Sequence, residues 1–395
     1  MTRGAAVLHE VPVRSGDVVT RSIRAGAPPS AGAIGQVAAS EAGHLGADRL
    51  AATEAALADR LVGLGPLAGL VADPTVTDVL VNGDGVVWAD RGRGVEEVGA
   101  VPVADLRPLA VRLAGLAGRR LDDAQPWVDG VLPGGVRLHA VLPPLADAGP
   151  HLSLRIARHR PGGVDGLEGL GAVGPGLARV LRGLVAARCS LVVSGGTGAG
   201  KTTVLAALVA ECPSSERVVV VEDVRELAPD HPHVVRLQGR SANVEGRGSV
   251  TLVDLVRQSL RMRPDRLVVG EVRGAEVREL LAALNTGHEG GMSTLHANGP
   301  DEVPARIEAL AALAGMPRRA THAQLRQALH AVVHVGRRSG VRRVESVGVV
   351  VPDPTETGLV RVEVALSLGP GGEDRGPGWS RLVALAPSLG EGDPC

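Results

Sequence analysis

The sequence predicts an α/β chain in two parts, a C-terminal domain built on a mainly parallel sheet and, before it, a smaller α+β domain. Three observations predict it. Over residues 177–350, short apolar runs alternate with helix-length amphipathic stretches, the pattern of parallel strands covered on both faces. Over residues 46–160 the strands are short and alternating and surround a helix. Between the two, residues 161–176 are dense in Gly and Pro, which marks a linker.

Residues 1–45 are rich in Gly, Ala, Ser and Pro without a sustained period, so they are expected to form a flexible arm. Leu50, Leu57, Leu61 and Leu64 recur at helical spacing over 48–64, and Gly65-Pro66 ends that helix. Val76 to Val81 alternates into a strand closed by the turn pair Asn82-Gly83, and Val86-Val87-Trp88 returns. A helix at 106–116 and strands at 135–141 and 152–156 complete the smaller domain. In the larger one, strands at 191–193, 218–221 and 267–269 alternate with helices at 202–211, 251–262 and 275–284. Further strands are expected at 344–351 and 359–368, and residues 351–395 form a C-terminal extension, loose from Gly369 onward.

Composition narrows the function. The chain has 395 residues, 44% hydrophobic and 22% charged, which excludes wholesale disorder. With 42 basic and 43 acidic residues the net charge is −1, so there is no general pull toward nucleic acid or anionic lipid. No apolar run approaches the ~18 residues of a spanning helix, and the N-terminus lacks a signal-peptide core. Cys189, Cys212 and Cys395 are spaced for neither a disulfide framework nor a zinc site. The chain is therefore expected to be soluble and cytoplasmic. Phe and Tyr are absent and only Trp88, Trp127 and Trp379 are aromatic, so the core must be Leu, Val and Ala. Lys201 is the single lysine; the other basic residues are arginine. The two interchange on solvated surfaces but not where a compact ammonium must meet a phosphate.

That lysine lies in Gly195-Gly196-Thr197-Gly198-Ala199-Gly200-Lys201-Thr202, a complete G-x4-G-K-T between an apolar strand and a helix. Its glycines let backbone N–H groups wrap phosphates, and Lys201 reaches the terminal ones. Thr202 would ligate Mg2+ and Thr203 would support the loop. Acids follow at strand ends: Glu222-Asp223 with Glu226, and Gly270-Glu271-Val272-Arg273. Carboxylates at the carboxyl ends of parallel strands face the ligand crevice, where one can hold a metal-bound water and another polarise the attacking water. Gly270 stands where many phosphate-loop enzymes carry a metal-holding Asp. Residues 285–298 form a polar loop with His288 and His296, whose spacing is poor for zinc but whose imidazoles can donate to phosphate. Arg137 and Arg155 on successive strands, and Arg240 and Arg247 in a Gly-bounded loop, are candidates to neutralise phosphate charge.

In this order the four segments resemble the secretion-superfamily ATPases of type II and type IV secretion, pilus assembly and conjugation, with the nearest resemblance to the tight-adherence (Tad/Flp) pilus assembly ATPases. The phosphate loop resembles their Walker A, Val220 to Leu227 their aspartate box, Arg263 to Arg273 their atypical Walker B, and Thr286 to Asn298 their histidine box. The stretches Ala242 to Gly248 and Leu260 to Pro264 point to the tight-adherence branch. The resemblance implies a C-terminal RecA-like P-loop ATPase domain and a homohexameric ring at the cytoplasmic face of the inner membrane, working with membrane platform proteins. It implies ATP and Mg2+ as ligands: Lys201 and Thr202 on phosphate and metal, Asp223 and Glu271 as further metal candidates, and Glu222 or Glu271 serving the attacking water. His288 and His296 would sense phosphate, and Arg137 and Arg155 would close on it as the domains move about the 161–176 hinge. Zinc and nucleic acid are not expected as partners. The rival readings are a conjugal-transfer type DNA-translocating ATPase and a nucleotide-gated ring scaffold without turnover.

Overall fold

The computed structural model describes residues 63–92, 94–156, 162–240, 247–338, 341–369 and 371–390. The arm expected at 1–45, and the helix expected at 48–64 up to residue 62, lie outside the described residues. The chain divides into two compact units, Met1–Arg158 and His159–Cys395.

In the first unit a short helix α1 (Ala68–Ala72) precedes six antiparallel strands and a longer helix, α2 (Val103–Leu116). The strands are β1 (Asp78–Val81), β2 (Val86–Asp90), β3 (Val95–Ala100), β4 (Trp127–Val131), β5 (Arg137–Val141) and β6 (His151–Arg155). They form one sheet in the order β3-β2-β1-β6-β5-β4. Alternation decides which face is buried: Val79, Val81, Leu138, Ala140, Leu152 and Leu154 point inward and share a core with Leu106, Leu109 and Leu113 of α2.

The second unit carries a nine-stranded sheet of β7 (Leu191–Gly195), β8 (Val218–Glu222), β9 (Val234–Gln238), β10 (Arg266–Val269), β11 (Met292–Leu295), β12 (Ala331–Arg338), β13 (Val341–Pro352), β14 (Val360–Gly369) and β15 (Gly372–Arg375). Their order is β15-β14-β13-β12-β7-β11-β10-β8-β9. Every pairing from β12 to β9 is parallel, and those from β12 to β15 are antiparallel. The helices are α3 (Gly163–Gly169), α4 (Pro175–Ala186), α5 (Lys201–Ala210), α6 (Leu252–Ser259), α7 (Glu276–Leu284), α8 (Val303–Leu313), α9 (Arg318–Ala328) and α10 (Trp379–Leu385). Val193, Val220 and Val268 pack with α3, α4, α5 and α10 on one face, while Val192, Val221 and Val269 pack with α6 to α9 on the other. Because both faces are covered, β7, β8, β10 and β11 are buried at every residue.

Three expectations are corrected here. Residues 162–176 are not slack chain: α3 lies there, Val164 and Leu167 are buried, and α4 begins at Pro175. The glycines serve close approach instead of slack. A Cβ on Gly163 would stand 2.5 Å from the Glu211 carboxylate, and one on Gly176 would stand 2.0 Å from that of Glu373. Residues 285–298 are not one polar loop, since β11 runs through them between β7 and β10. Residues 369–395 are not loose as far as they are described. β15 and α10 lie there, Leu382 and Leu389 are buried, and Glu373 Oε1 accepts the Leu177 N–H of α4 at 2.8 Å.

At the N-terminal edge of the parallel strands Arg266, 1% exposed, is fully engaged. It donates to Glu216 Oε2 at 2.6 Å and to the Val185 carbonyl at 3.0 Å. Glu216 also pairs with Arg188.

Candidate nucleotide site

The 195–200 loop leaves the carboxyl end of β7 and enters α5. Gly198 and Gly200 hold φ of 70° and 105°, a left-handed region open to glycine without strain. At Gly195 a Cβ would lie 2.3 Å from the Val335 carbonyl oxygen, so the loop starts against β12 where only glycine fits. Lys201 opens α5 and is 7% exposed. Its Nζ donates to the Gly195 carbonyl at 3.1 Å and the Gly196 carbonyl at 3.0 Å. Burial holds its pKa below the ordinary lysine value, and the Glu271 charge opposes that shift. Thr202 and Thr203 follow in the first turn, half-buried.

His296 follows β11 and lies between Lys201 and Glu271. Both ring nitrogens stand 3.3 Å from Lys201 Nζ, and Nε2 stands 2.6 Å from Glu271 Oε1. An ammonium can only donate, so His296 accepts from Lys201, while Glu271 Oε1, close to Nε2 but buried, has no hydrogen-bond partner among the described residues. Burial, then the Lys201 charge, lowers the His296 pKa, in keeping with a neutral ring. Glu271 also pairs with Arg273. The turn after it is held by Glu276, whose Oε1 accepts the N–H groups of Arg273 at 2.5 Å and Gly274 at 2.7 Å. Sequence reasoning missed Glu276; the acid two residues past the Arg273-Gly274 turn was the available signal.

Glu222, 5% exposed, ends β8. Its Oε1 accepts the N–H groups of Glu226 at 3.1 Å and Leu227 at 2.8 Å, whereas its buried Oε2 has no hydrogen-bond partner among the described residues. Burial raises its pKa to about 6. Gly270 explains how so large a side chain fits there: a Cβ at 270 would lie 2.6 Å from Glu222 Cγ. The glycine at the metal-holding Asp position thus makes room for the neighbouring strand's glutamate. Asp223 is exposed and lies toward the edge strand, with Oδ1 3.3 Å from where a Gly239 Cβ would stand.

The structure therefore brings Lys201, His296 and Glu271 into contact, with Glu222 at the end of the strand beside Glu271's. It does not bring His288 to them. His288 precedes β11, where Gly291 O accepts the Leu191 N–H at the start of β7, and its Nδ1 lies 3.3 Å from the Ala283 carbonyl oxygen. The four-residue strand between them sends His288 and His296 to opposite edges of the sheet. The two imidazoles accordingly do not lie together in this chain. Arg137 and Arg155 lie in the first unit, directly opposite each other on β5 and β6. Arg137 is matched by Asp129 at 2.9 Å and Arg155 by Asp78 at 3.0 Å.

A nucleotide with Mg2+ suits this residue set: the glycine cradle would be filled by Cβ atoms, and two buried carboxylate oxygens, Glu222 Oε2 and Glu271 Oε1, lack a hydrogen-bond partner among the described residues. Among the described residues no group of three or more His, Cys, Asp or Glu is placed to hold a metal. A Mg2+ ion would thus rest on Thr202, with few other protein oxygens, and on substrate phosphates, its usual habit.

The profile of the family described as type II/IV secretion system protein matches residues 60–342. This chain belongs to the type II/IV secretion family. Among the relatives of this secretion-family chain is a Mycobacterium tuberculosis (H37Rv) protein provisionally named for conjugal transfer. It is 52% identical over 314 residues, covering 77% of this chain and 89% of the relative. Conjugal transfer protein TrbB of Rhizobium radiobacter is 32% identical over 280 residues, covering 70% and 84%. Among solved structures the Legionella pneumophila ATPase DotB shares the fold, with a TM-score of 0.50 at 18% identity over 78% of this chain and 80% of that one. Among the described residues no helix is long and apolar enough to cross a membrane.

Proposed function

We propose that this chain is a Mg2+-dependent ATP hydrolase that works as a homohexameric motor at the cytoplasmic face of the membrane, powering a type II/IV secretion-class machine. The observation that carries this reading is the buried Lys201 ammonium, held by two carbonyls of its own glycine loop and touching His296, which in turn meets Glu271. A triphosphate in the loop would draw the ammonium off those carbonyls, since a charged phosphate oxygen is the stronger acceptor. The same movement would free His296 from Lys201, so phosphate arrival is communicated to Glu271. Mg2+ would supply charge neutralisation on the phosphates, with Thr202 as its protein ligand.

Of the two glutamates, Glu222 suits the general base. Each has a buried carboxylate oxygen without a hydrogen-bond partner among the described residues, but it is Glu222 whose burial raises the pKa to about 6, near the range where a base works best. Glu271, held by His296 and Arg273, suits a positioning role on the metal side. Phosphate release with Lys201→Ala, Glu222→Gln and Glu271→Gln tests the site: turnover should vanish in the first and fall about 10²-fold or more in the second, the size of lost base catalysis. Wild-type turnover in Lys201→Ala would overturn the reading.

Two machines remain in play. The conjugal-transfer names of the 52% and 32% identical relatives favour a conjugation-type apparatus. The Leu260 to Pro264 stretch favours tight-adherence pilus assembly. Turnover stimulated by purified platform proteins of one apparatus and not the other would decide between them.

A further inference from the structure

The β12–β13 hairpin runs past the end of β7. β7 pairs with β12 only as far as Gly195 opposite Val335, so the last residues of β12 and the first of β13 form a two-stranded ribbon beside the start of the glycine loop. A bulge turns this ribbon: His334 pairs with Ser346 and Val335 with Val344, which leaves Glu345 as the extra residue. Beyond the bulge, Val335 and Val344 are buried in the same cluster as α5. Two residues further on, on that same face, Arg337 and Arg342 stand directly opposite each other.

Arg342 lies against the phosphate loop. A Cβ built on Gly200 would stand 3.7 Å from Arg342 Cδ and 3.9 Å from its Cβ, so the arginine stem borders the residue that precedes Lys201. Arg342 is exposed and makes no hydrogen bond or ion pair among the described residues. A guanidinium fork fits phosphate oxygens two at a time.

We propose that Arg342 is a phosphate-binding residue of the nucleotide site, reaching the polyphosphate from the hairpin side of the loop while Lys201 grips it from α5. This rests on the nucleotide reading above and adds to it a contact made by a segment outside the recognised motifs.

The test is calorimetric titration of the full chain, with magnesium, using ATP and inorganic tripolyphosphate as separate probes. Arg342→Gln should weaken both by about tenfold, the size of one charge-assisted hydrogen bond. Arg342→Lys should recover part of the loss, and Arg343→Gln, which alternates to the other face opposite Gly336, should change neither. Wild-type affinity of Arg342→Gln for both probes, with Lys201→Ala failing to bind, would overturn the proposal and leave the nucleotide site standing. A loss seen with ATP but not tripolyphosphate would also overturn it, because the contact would then be to the base. Wild-type affinity in Lys201→Ala would overturn the nucleotide reading and this proposal with it.

Discussion

Glu222 and Gly270 stand side by side at the ends of neighbouring parallel strands, so close that a methyl on Gly270 would lie 2.6 Å from Glu222 Cγ. The Glu222 carboxylate side chain therefore occupies space that any other residue at 270 would take. Gly270→Ala should move that carboxylate while leaving Lys201 and its loop in place. The expected outcome is a fall in kcat of about 10²-fold, typical of a reacting group misplaced by about an ångström, with nucleotide affinity near wild type. Steady-state kinetics beside equilibrium binding separates the two; a proportionate loss of affinity would count against this account.

Glu222 also makes stability depend on pH. Burial raises its pKa from the ordinary 4.5 to about 6, so the folded chain holds this proton more tightly than the unfolded one. The contribution is complete below about pH 4.5 and is lost as pH rises through 6, a difference of about 2 kcal/mol. Glu222→Gln removes the ionisation. Its Tm should exceed that of wild type at pH 7.5, with the gap narrowing toward pH 4.5. Parallel Tm-against-pH curves for the two proteins would refute the assignment.

The Arg266–Glu216 pair governs folding at the other edge of the sheet. Glu216→Ala leaves a guanidinium only 1% exposed without its carboxylate. Breaking one side of a buried pair costs about 3–5 kcal/mol, so the variant should unfold at distinctly lower denaturant than wild type. A midpoint within error of wild type would mean that the carbonyls of Val185 and Gly290, which Arg266 also reaches, suffice for it.

The C-terminal segment is part of the core. Leu382 of α10 is 0% exposed, and Leu389 packs so tightly on α4 that a Cβ on Gly183 would lie 2.9 Å from its Cδ2. Leu382→Ala should destabilise by about 2–5 kcal/mol, the range for a buried Leu truncation. Removal of residues 371–395 should cost more, because Glu373 also satisfies the α4 N-terminus. Chemical denaturation of both variants checks this; full stability of the truncated chain would show that the segment only lies on the surface.

How much of this was legible depended on sequence distance. The phosphate loop was readable because its strand, glycines, lysine and helix are consecutive, so local rules identify it. β11 was not readable: Met292-Ser293-Thr294-Leu295 looks polar, yet Ser293 and Thr294 are buried in the sheet, and the Thr294 hydroxyl donates to the Gly270 carbonyl at 2.7 Å. The glycines at 163, 174 and 176 looked like slack because their reason, carboxylates of Glu211 and Glu373, comes from distant segments. His288 and His296 looked like a pair because eight residues is a short step along the chain, although the strand between them crosses the sheet.

From the amino-acid order alone came the two-part α/β plan, the phosphate-binding loop with its single lysine, and the acids at strand ends. Folding alone decided which groups meet: His296 between Lys201 and Glu271, Glu222 in the space left by Gly270, and Arg342 beside Gly200. The division has a physical cause. Periodicity and turn chemistry act over a few residues, whereas these contacts depend on strand order and register, which are settled by burial of whole faces at once.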